Sequence, residues 1–345
     1  MAEADAPGKL VICGEYAVLA GAPAIAIAVD VRACARVVAS GGTCRLDIPG
    51  AGRWIFDWGA AGCPQWRDPP AAGQGALLEA VAATLATAGY GPRQPLAIEL
   101  DSSRFRSASG DKLGLGSSAA LVVALVAAMT AASGRPVADR EVLFRLAQAA
   151  HRRLQGGSGS GIDVAAAVHG GVVALAADAT VETLAWPRGL HWLAAWSGSG
   201  AATPPLVSRF MDFRRDSGPA GEALLARLQA AAVATLEAWR RGAAAPVLVA
   251  LADFRQMLEA LDAAAGIGIV TPAHQRLAAL AADAGCFYKT SGAGGGDFGL
   301  VLADNAAAIA AAARSLAAAG IMTIGGGAGL ADVTDMTSIA GVAVR

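Results

Sequence analysis

The sequence predicts an α+β fold in two parts. Strands and helices do not alternate strictly along the 345 residues, as a doubly wound α/β sheet would require. A mostly helical stretch at about 204–284 separates two regions that carry strands. No internal repeat is present. The length suits two domains, or a large one with a smaller one. A weakly marked boundary near 180–190 divides the chain into an N-terminal domain, 1–185, and a C-terminal domain, 186–345.

The elements follow in order. LVICGEYAVL at 10–19 is strand-like, with Gly14-Glu15 interrupting it. AIAIAVDV at 24–31 and residues 33–39 read as two further strands, and residues 41–70, rich in Gly, Pro and Trp, as hairpins and loops. QGALLEAVAATLATA at 74–88 is a helix ended by Gly89, and PLAIELD at 95–101 a strand. Helices are expected at about 117–133 and 138–154. GGSGSG at 156–161 is a loop from which IDVAAAVHG opens a short helix. Strands are expected at 171–176 and 191–196. The helical stretch is broken by Gly/Pro near 218, at 242–246 and at 266–272. Strands at 286–290 and 298–303 flank SGAGGGD, followed by a helix at 305–319 and a strand near 321–324.

Composition excludes several classes. Hydrophobic residues make up 55% and charged residues 16%, which leaves ample apolar surface for a core and no sign of global disorder. Net charge is −1 and no Lys/Arg block stands out, so neither nucleic acid nor an anionic membrane is expected as partner. The longest apolar run, about Ala119 to Ala132, is shorter than the roughly 20 residues that span a bilayer. The five cysteines show no C-x-x-C pairing and are odd in number, which suits a reducing cytoplasm better than a disulfide scaffold. MAEADAPGK carries acids where a signal peptide needs base, so a cytoplasmic location is expected. His151, His169, His191 and His274 lack metal-site spacing.

Four segments carry chemistry. The first is the loop Gly114-Leu115-Gly116-Ser117-Ser118-Ala119 at a helix start, with Lys112 just before it. A helix N-terminus leaves about four N–H groups unpartnered and carries roughly half a positive charge, which suits phosphate. Glycines let the backbone approach, and serine hydroxyls can meet phosphate oxygens or a metal. The string matches G-x-G-x-x-A, but a dinucleotide fingerprint requires a strand immediately before it, and here SSRFRSASGD intervenes. The competing reading is that Ser117 and Ser118 simply cap a core helix. The second segment, Gly157-Ser158-Gly159-Ser160-Gly161-Ile162-Asp163, ends in an acid that is either a helix cap or a carboxylate aimed into the same cleft. The third, Ser291-Gly292-Ala293-Gly294-Gly295-Gly296-Asp297, precedes a strand and is longer than a hairpin needs, which suggests close approach of something bulky. The fourth, PGKLVICGEYAVLAG, places Lys9 near a strand start and Glu15 inside an apolar run.

APGKLVICGEYAVLAG, KLGLGSSAA, GSGSGIDVAAAVHG and KTSGAGGGDFG, in this order and across essentially the whole chain, resemble the GHMP kinase superfamily of small-molecule kinases. Gly14-Glu15-Tyr16, Lys112, Ala195-Trp196-Ser197-Gly198 with Ala202-Thr203, and the string from Lys289 to Asp297 are most similar to its phosphomevalonate kinase branch. The resemblance implies a ribosomal protein S5 domain 2-like N-terminal domain that binds ATP, and a ferredoxin-like C-terminal domain. It implies ATP and Mg²⁺ as cofactors, with the ATP phosphates on Lys112 and 114–119, and Ser118 facing the metal. Asp163 matches the catalytic aspartate of the mevalonate-type members and Lys9 the lysine that neighbours it. Glu15, Tyr16, Ser160, Gly161, Ser197, Thr203, Ser291, Gly292 and Ala293 are the matching substrate-side positions. The implied acceptor is small and phosphorylated, of the 5-phosphomevalonate kind. Mevalonate, a sugar, or a catalytically silent sensor are the alternatives. The protein is expected to be a monomer or homodimer. One departure stands out: mevalonate kinases place a glutamate upstream of the aspartate as a second Mg²⁺ ligand, where this chain has Arg152. Arg152 and Arg153 are then either solvated helix arginines or contacts for a substrate phosphate.

Overall fold

The computed structural model describes residues 1–59, 62–71, 73–92, 94–157, 159–325 and 339–345. Ser158, in the second glycine-rich loop, lies outside the described residues. Two sheets organise the chain. The larger has nine strands and contains β1 (Ala2–Cys13), β2 (Ala24–Ala39), β3 (Cys44–Ile48), β4 (Gly52–Trp58), β5 (Pro64–Trp66), β6 (Leu96–Asp101), β7 (Val172–Leu175), β8 (Val181–Leu184) and, near the end of the chain, β13 (Ala343–Val344). Its main path runs β13-β1-β2-β6-β3-β4-β5, and β7 bridges β2 to β8. The pairings are antiparallel except between β3 and β6, which are parallel. The smaller sheet joins β9 (His191–Trp196), β10 (Phe287–Thr290), β11 (Phe298–Ala303) and β12 (Thr323–Ile324) in the order β10-β11-β9-β12. With α9 (Ala306–Ala318) between β11 and β12, that order is the ferredoxin-like one.

Helices cover both sheets. α2 (Ser117–Ala132) packs on β1 and β2 and is buried almost all round, which its run of Ala, Val and Leu permits. α1 (Ala76–Thr87) and α3 (Arg140–Leu154) pack beside each other, and α3 also touches α2 and α4 (Ile162–His169). The Asp139 carboxylate caps α3 by accepting from the Glu141 and Val142 amides, and basic residues close its last turn, as the helix dipole favours. α5 (Thr203–Asp216), α6 (Gly218–Arg240), α7 (Ala244–Ala265) and α8 (Pro272–Asp283) form the helical stretch. Asn305 caps α9 and Thr271 caps α8 through side-chain oxygens. All five cysteines are free, and burial pushes the Cys13 thiol up to about 12. Among the described residues no helix is long and apolar enough to cross a membrane.

Three expectations need correction. The strand read at 10–19 begins at Ala2 and stops at Cys13, because Gly14 (φ 97°) and Tyr16 (φ 59°) turn the chain into a short 3₁₀ turn at Ala17–Ala20. Its early half was hidden by Glu3 and Asp5, charges that neighbouring arginines neutralise: Arg36 binds Glu3, and Arg32 binds Asp5. The two strands read at 24–31 and 33–39 are one, β2, and the interruption is a register shift opposite Pro7/Gly8. β8 and β13 were not anticipated. β13 returns the end of the chain to β1, where Arg32 donates to the carbonyls of Ala340 and Gly341.

Candidate active site

A cavity of about 310 Å³ opens between the two sheets, within the usual range for small-molecule sites. All four glycine-rich or charged segments line it.

The loop before α2 supplies one wall. Gly116 is the N-cap, in the left-handed region at φ 79°, and no side chain caps the helix. The first helical bond runs from the Ala120 amide to the Gly116 carbonyl, so among the described residues the amides of 117–119 meet no acceptor. That sets aside the capping role for Ser117 and Ser118. Instead Ser118 Oγ lies 3.0 Å from His151 Nε2 on α3. The loop is held to β1 by the Lys9 amide, which donates to the Leu115 carbonyl at 2.8 Å. Only a glycine at position 8 permits this approach, because a Cβ there would sit 2.7 Å from that carbonyl oxygen. Lys112, Gly114, Leu115, Gly116, Ser117 and Ser118 all line the cavity. Ala119 is buried in the helix beneath it.

The first turn of α4 supplies the facing wall. Gly161 is its N-cap at φ 90°, and Asp163 Oδ1 accepts from the Val164 amide at 2.9 Å. Asp163 Oδ2 lies 3.7 Å from His151 Nδ1, too far for a hydrogen bond. Ser160 and Asp163 line the cavity. Gly161 does not; its Cα faces Gln148, whose amide would clash with a Cβ there at 2.4 Å. Lys9 passes between these walls: a Cβ on Gly116 would meet Lys9 Cγ at 3.2 Å and Asp163 Cβ at 3.9 Å. Lys9 and Asp163 are therefore neighbours across Gly116, though Lys9 forms no ion pair within 4 Å among the described residues. Arg152 and Arg153 are exposed and do not line the cavity.

The third wall joins the sheets. Lys289 Nζ donates to Glu15 Oε1 at 2.5 Å and to the Thr290 carbonyl at 2.5 Å, with the two side chains 0% and 2% exposed. Glu15 Oε1 also accepts from the Gly292 amide at 3.3 Å, while its buried Oε2 has no hydrogen-bond partner among the described residues and lies beside the cavity. The Ser291 hydroxyl accepts from the Val11 amide at 2.9 Å and donates to the Val11 carbonyl at 3.0 Å, so it splices this loop onto β1. Tyr16 donates its hydroxyl to the Ala293 carbonyl at 2.5 Å. Thr203 lines the mouth, at the start of α5. Ser197 does not reach the cavity; its hydroxyl donates to the Ser199 carbonyl at 3.1 Å.

Comparison with known proteins agrees with this arrangement. The GHMP kinases N terminal domain profile matches residues 76–171. A phosphomevalonate kinase from Streptomyces sp. (strain CL190) is 34% identical over 341 aligned positions, covering 87% of this chain and 89% of that protein. The chain belongs to the GHMP kinase family. It is thus a small-molecule kinase. A mevalonate kinase from Aeropyrum pernix is 33% identical over 182 positions, half of each chain. Among solved structures, Streptococcus pneumoniae phosphomevalonate kinase in complex with phosphomevalonate and AMPPNP aligns with a TM-score of 0.75 at 22% identity, over 93% of this chain and 98% of that one. The Lin0012 protein of Listeria innocua aligns at 0.81 and 23% identity, over 94% of this chain and 96% of that one. Both share the fold of this GHMP kinase.

Sequence reasoning missed three residues at the cavity or directly behind its walls. His151 was noted only for lacking metal spacing. Lys289 was quoted within a motif without a role. Asp297 closes SGAGGGD as Asp163 closes GSGSGID, and that symmetry was the available signal. Asp297 sits at φ 58°, lines the cavity, and accepts from the Ala201 amide at 2.9 Å. Burial pushes its carboxyl above the usual range, against the pull of that amide and of Lys9. The loop is propped from below by buried His274, whose ring nitrogens meet the Tyr288 hydroxyl at 2.6 Å and the Gly296 carbonyl at 2.8 Å. Gly114→Ala tests the packing of the two loops. Its Cβ would fall 2.0 Å from Asp297 Cγ at a φ of 69°. The left-handed conformation alone costs about 1–2 kcal/mol, so a urea midpoint clearly below wild type is expected. Gly42→Ala, which meets nothing within 4 Å, should leave the midpoint unchanged.

Proposed function

We propose that this GHMP kinase transfers the γ-phosphoryl group of ATP to 5-phosphomevalonate, giving 5-diphosphomevalonate and ADP, a step of isoprenoid precursor synthesis by the mevalonate pathway. One observation carries the reading: two helix N-termini, Lys9 and Asp163 converge on one cavity, in a chain whose relative over most of its length is a phosphomevalonate kinase. The open amides of α2 and Lys112 would take the ATP phosphates. The acceptor would enter from the side of Glu15, Tyr16, Ser160, Thr203 and the loop 291–293.

An oxygen of the acceptor phosphate attacks the γ-phosphorus, and the bond to the departing ADP oxygen breaks. The attacking oxygen is already ionised, so positioning and charge neutralisation outweigh proton removal. Asp163 orients the acceptor, and Lys9 offsets charge on the group in flight. The donors at the cavity fit Mg²⁺ in a limited way. Ser118 offers a hard oxygen, but no group of three or more His, Cys, Asp or Glu gathers among the described residues. This suits a cation that arrives on the nucleotide and keeps waters. Mg²⁺ would supply charge neutralisation for the phosphates there, and Ser118 is the residue that would face it.

Ser118→Ala is expected to raise the Mg²⁺ concentration needed for half-maximal rate; an unchanged Mg²⁺ titration would remove Ser118 from that role. The acceptor itself is tested by ADP release with mevalonate, 5-phosphomevalonate and galactose. Turnover should be fastest with 5-phosphomevalonate. Turnover of mevalonate alone would replace the acceptor, and nucleotide binding without any turnover would favour a sensor.

A further inference from the structure

We propose that His151 is a positioning residue that fixes which way the Ser118 hydroxyl points. The proposal rests on the reading of Ser118 as a group that faces the nucleotide phosphates and their cation. The His151 side chain is 3% exposed and reaches from α3 to the first turns of both helices that end at the cavity. Its Nε2 lies 3.0 Å from Ser118 Oγ, on α2, and its Nδ1 lies 3.7 Å from Asp163 Oδ2, on α4.

A neutral imidazole has one N–H and one acceptor nitrogen. An ionised Asp163 accepts only, so a lone pair on Nδ1 would face the carboxylate unfavourably. At 3.7 Å this is a charge–dipole preference, and it places the ring proton on Nδ1. Nε2 is then the acceptor, and Ser118 must donate to it. The Ser118 proton is thereby turned away from the cavity, and both oxygen lone pairs are left for a ligand. The other tautomer would free the hydroxyl proton to point at the cation. Outer partners of this kind set ligand orientation in metal sites generally. The adjacent Arg152, at the position matched to the missing glutamate, is exposed and takes no part. An inward imidazole that acts through Ser118 stands next to it in the sequence.

The test begins with the ring nitrogens of the nucleotide-free, ¹⁵N-labelled full chain at pH 8. The His151 signal is assigned by its loss in His151→Gln. A proton on Nδ1 and none on Nε2 is expected, and Asp163→Asn should move the proton to Nε2. A proton on Nε2 in the wild type, or on both nitrogens, would overturn the proposal. Calorimetry with AMPPNP then separates orientation from mere packing. His151→Leu should weaken binding in the presence of Mg²⁺ by about 10–100-fold and leave metal-free binding nearly unchanged. His151→Gln, whose amide oxygen can still accept from Ser118, should recover part of the loss. Equal weakening with and without Mg²⁺ would make His151 a packing residue and sink the idea. The tautomer needs no acceptor, so failure to turn over 5-phosphomevalonate would correct the proposed substrate and leave this result standing.

Discussion

Asp163→Asn is expected to lower kcat by about 10²-fold while the affinity for ATP stays close to wild type. Asparagine keeps the shape and keeps a carbonyl oxygen to accept from the Val164 amide, so the first turn of α4 survives. What is lost is the negative charge at Oδ2, which faces His151 on the side where α2 and α4 meet. The proposed ATP contacts, the α2 amides and Lys112, are not touched by the substitution. A fall in kcat with unchanged nucleotide affinity would mark Asp163 as acting on the reaction and not on binding. Steady-state rates and calorimetric ATP titration supply both numbers. Near-wild-type kcat would reduce Asp163 to a helix-turn acceptor.

Lys289→Met should cost about 3–5 kcal/mol of folding stability. Methionine nearly fills the space of the lysine stem, so the loss is electrostatic and not a cavity. It leaves the Glu15 carboxylate, 2% exposed, with only the long bond from the Gly292 amide among the described residues. A buried charge stripped of its partner is far more costly than a neutral pair of similar volume. The double variant Glu15→Gln, Lys289→Met should therefore recover much of the loss. Urea denaturation of the wild type, the single and the double variant measures this directly. A single-variant cost under about 1 kcal/mol, in the range of exposed pairs, would mean that water reaches the pair. Because Lys289 is on β10 and Glu15 follows β1, the same pair holds the smaller sheet against the loop that lines the cavity.

The parts of this architecture that were legible in the sequence are those with one dominant local cause. α2 announced itself by Gly-Ser-Ser before an unbroken small apolar run, and α4 by GSGSGID. β10 and β11 stood out on either side of SGAGGGD. β1 was half hidden because Glu3 and Asp5 break its apolar pattern, and only the fold supplies Arg36 and Arg32 to pair with them. The turn at Tyr16 depends on a positive φ that no residue type there demands. β13 carries too few residues for any periodicity and exists through its pairing with β1. At the cavity, Lys9, Ser118 and Asp163 could be singled out because their segments carry recognisable strings. His151 was not. It lies 33 residues from Ser118, and its place between Ser118 and Asp163 comes from the packing of α3 against α2 and α4. Glu15 looked like a ligand for substrate, and the fold shows one of its oxygens bound by Lys289 and the other buried without a hydrogen-bond partner among the described residues.

The most direct measurement of the central claim is ³¹P NMR of the full-length protein with ATP, Mg²⁺ and 5-phosphomevalonate. Transfer to the acceptor phosphate forms a new P–O–P bond, so the acceptor singlet should give way to a pair of coupled doublets as ADP accumulates. A second phosphate monoester singlet on the acceptor would mean attack by a hydroxyl. Inorganic phosphate and ADP with an unchanged acceptor would mean hydrolysis. Either of these results would contradict a cavity built to join one phosphate to another.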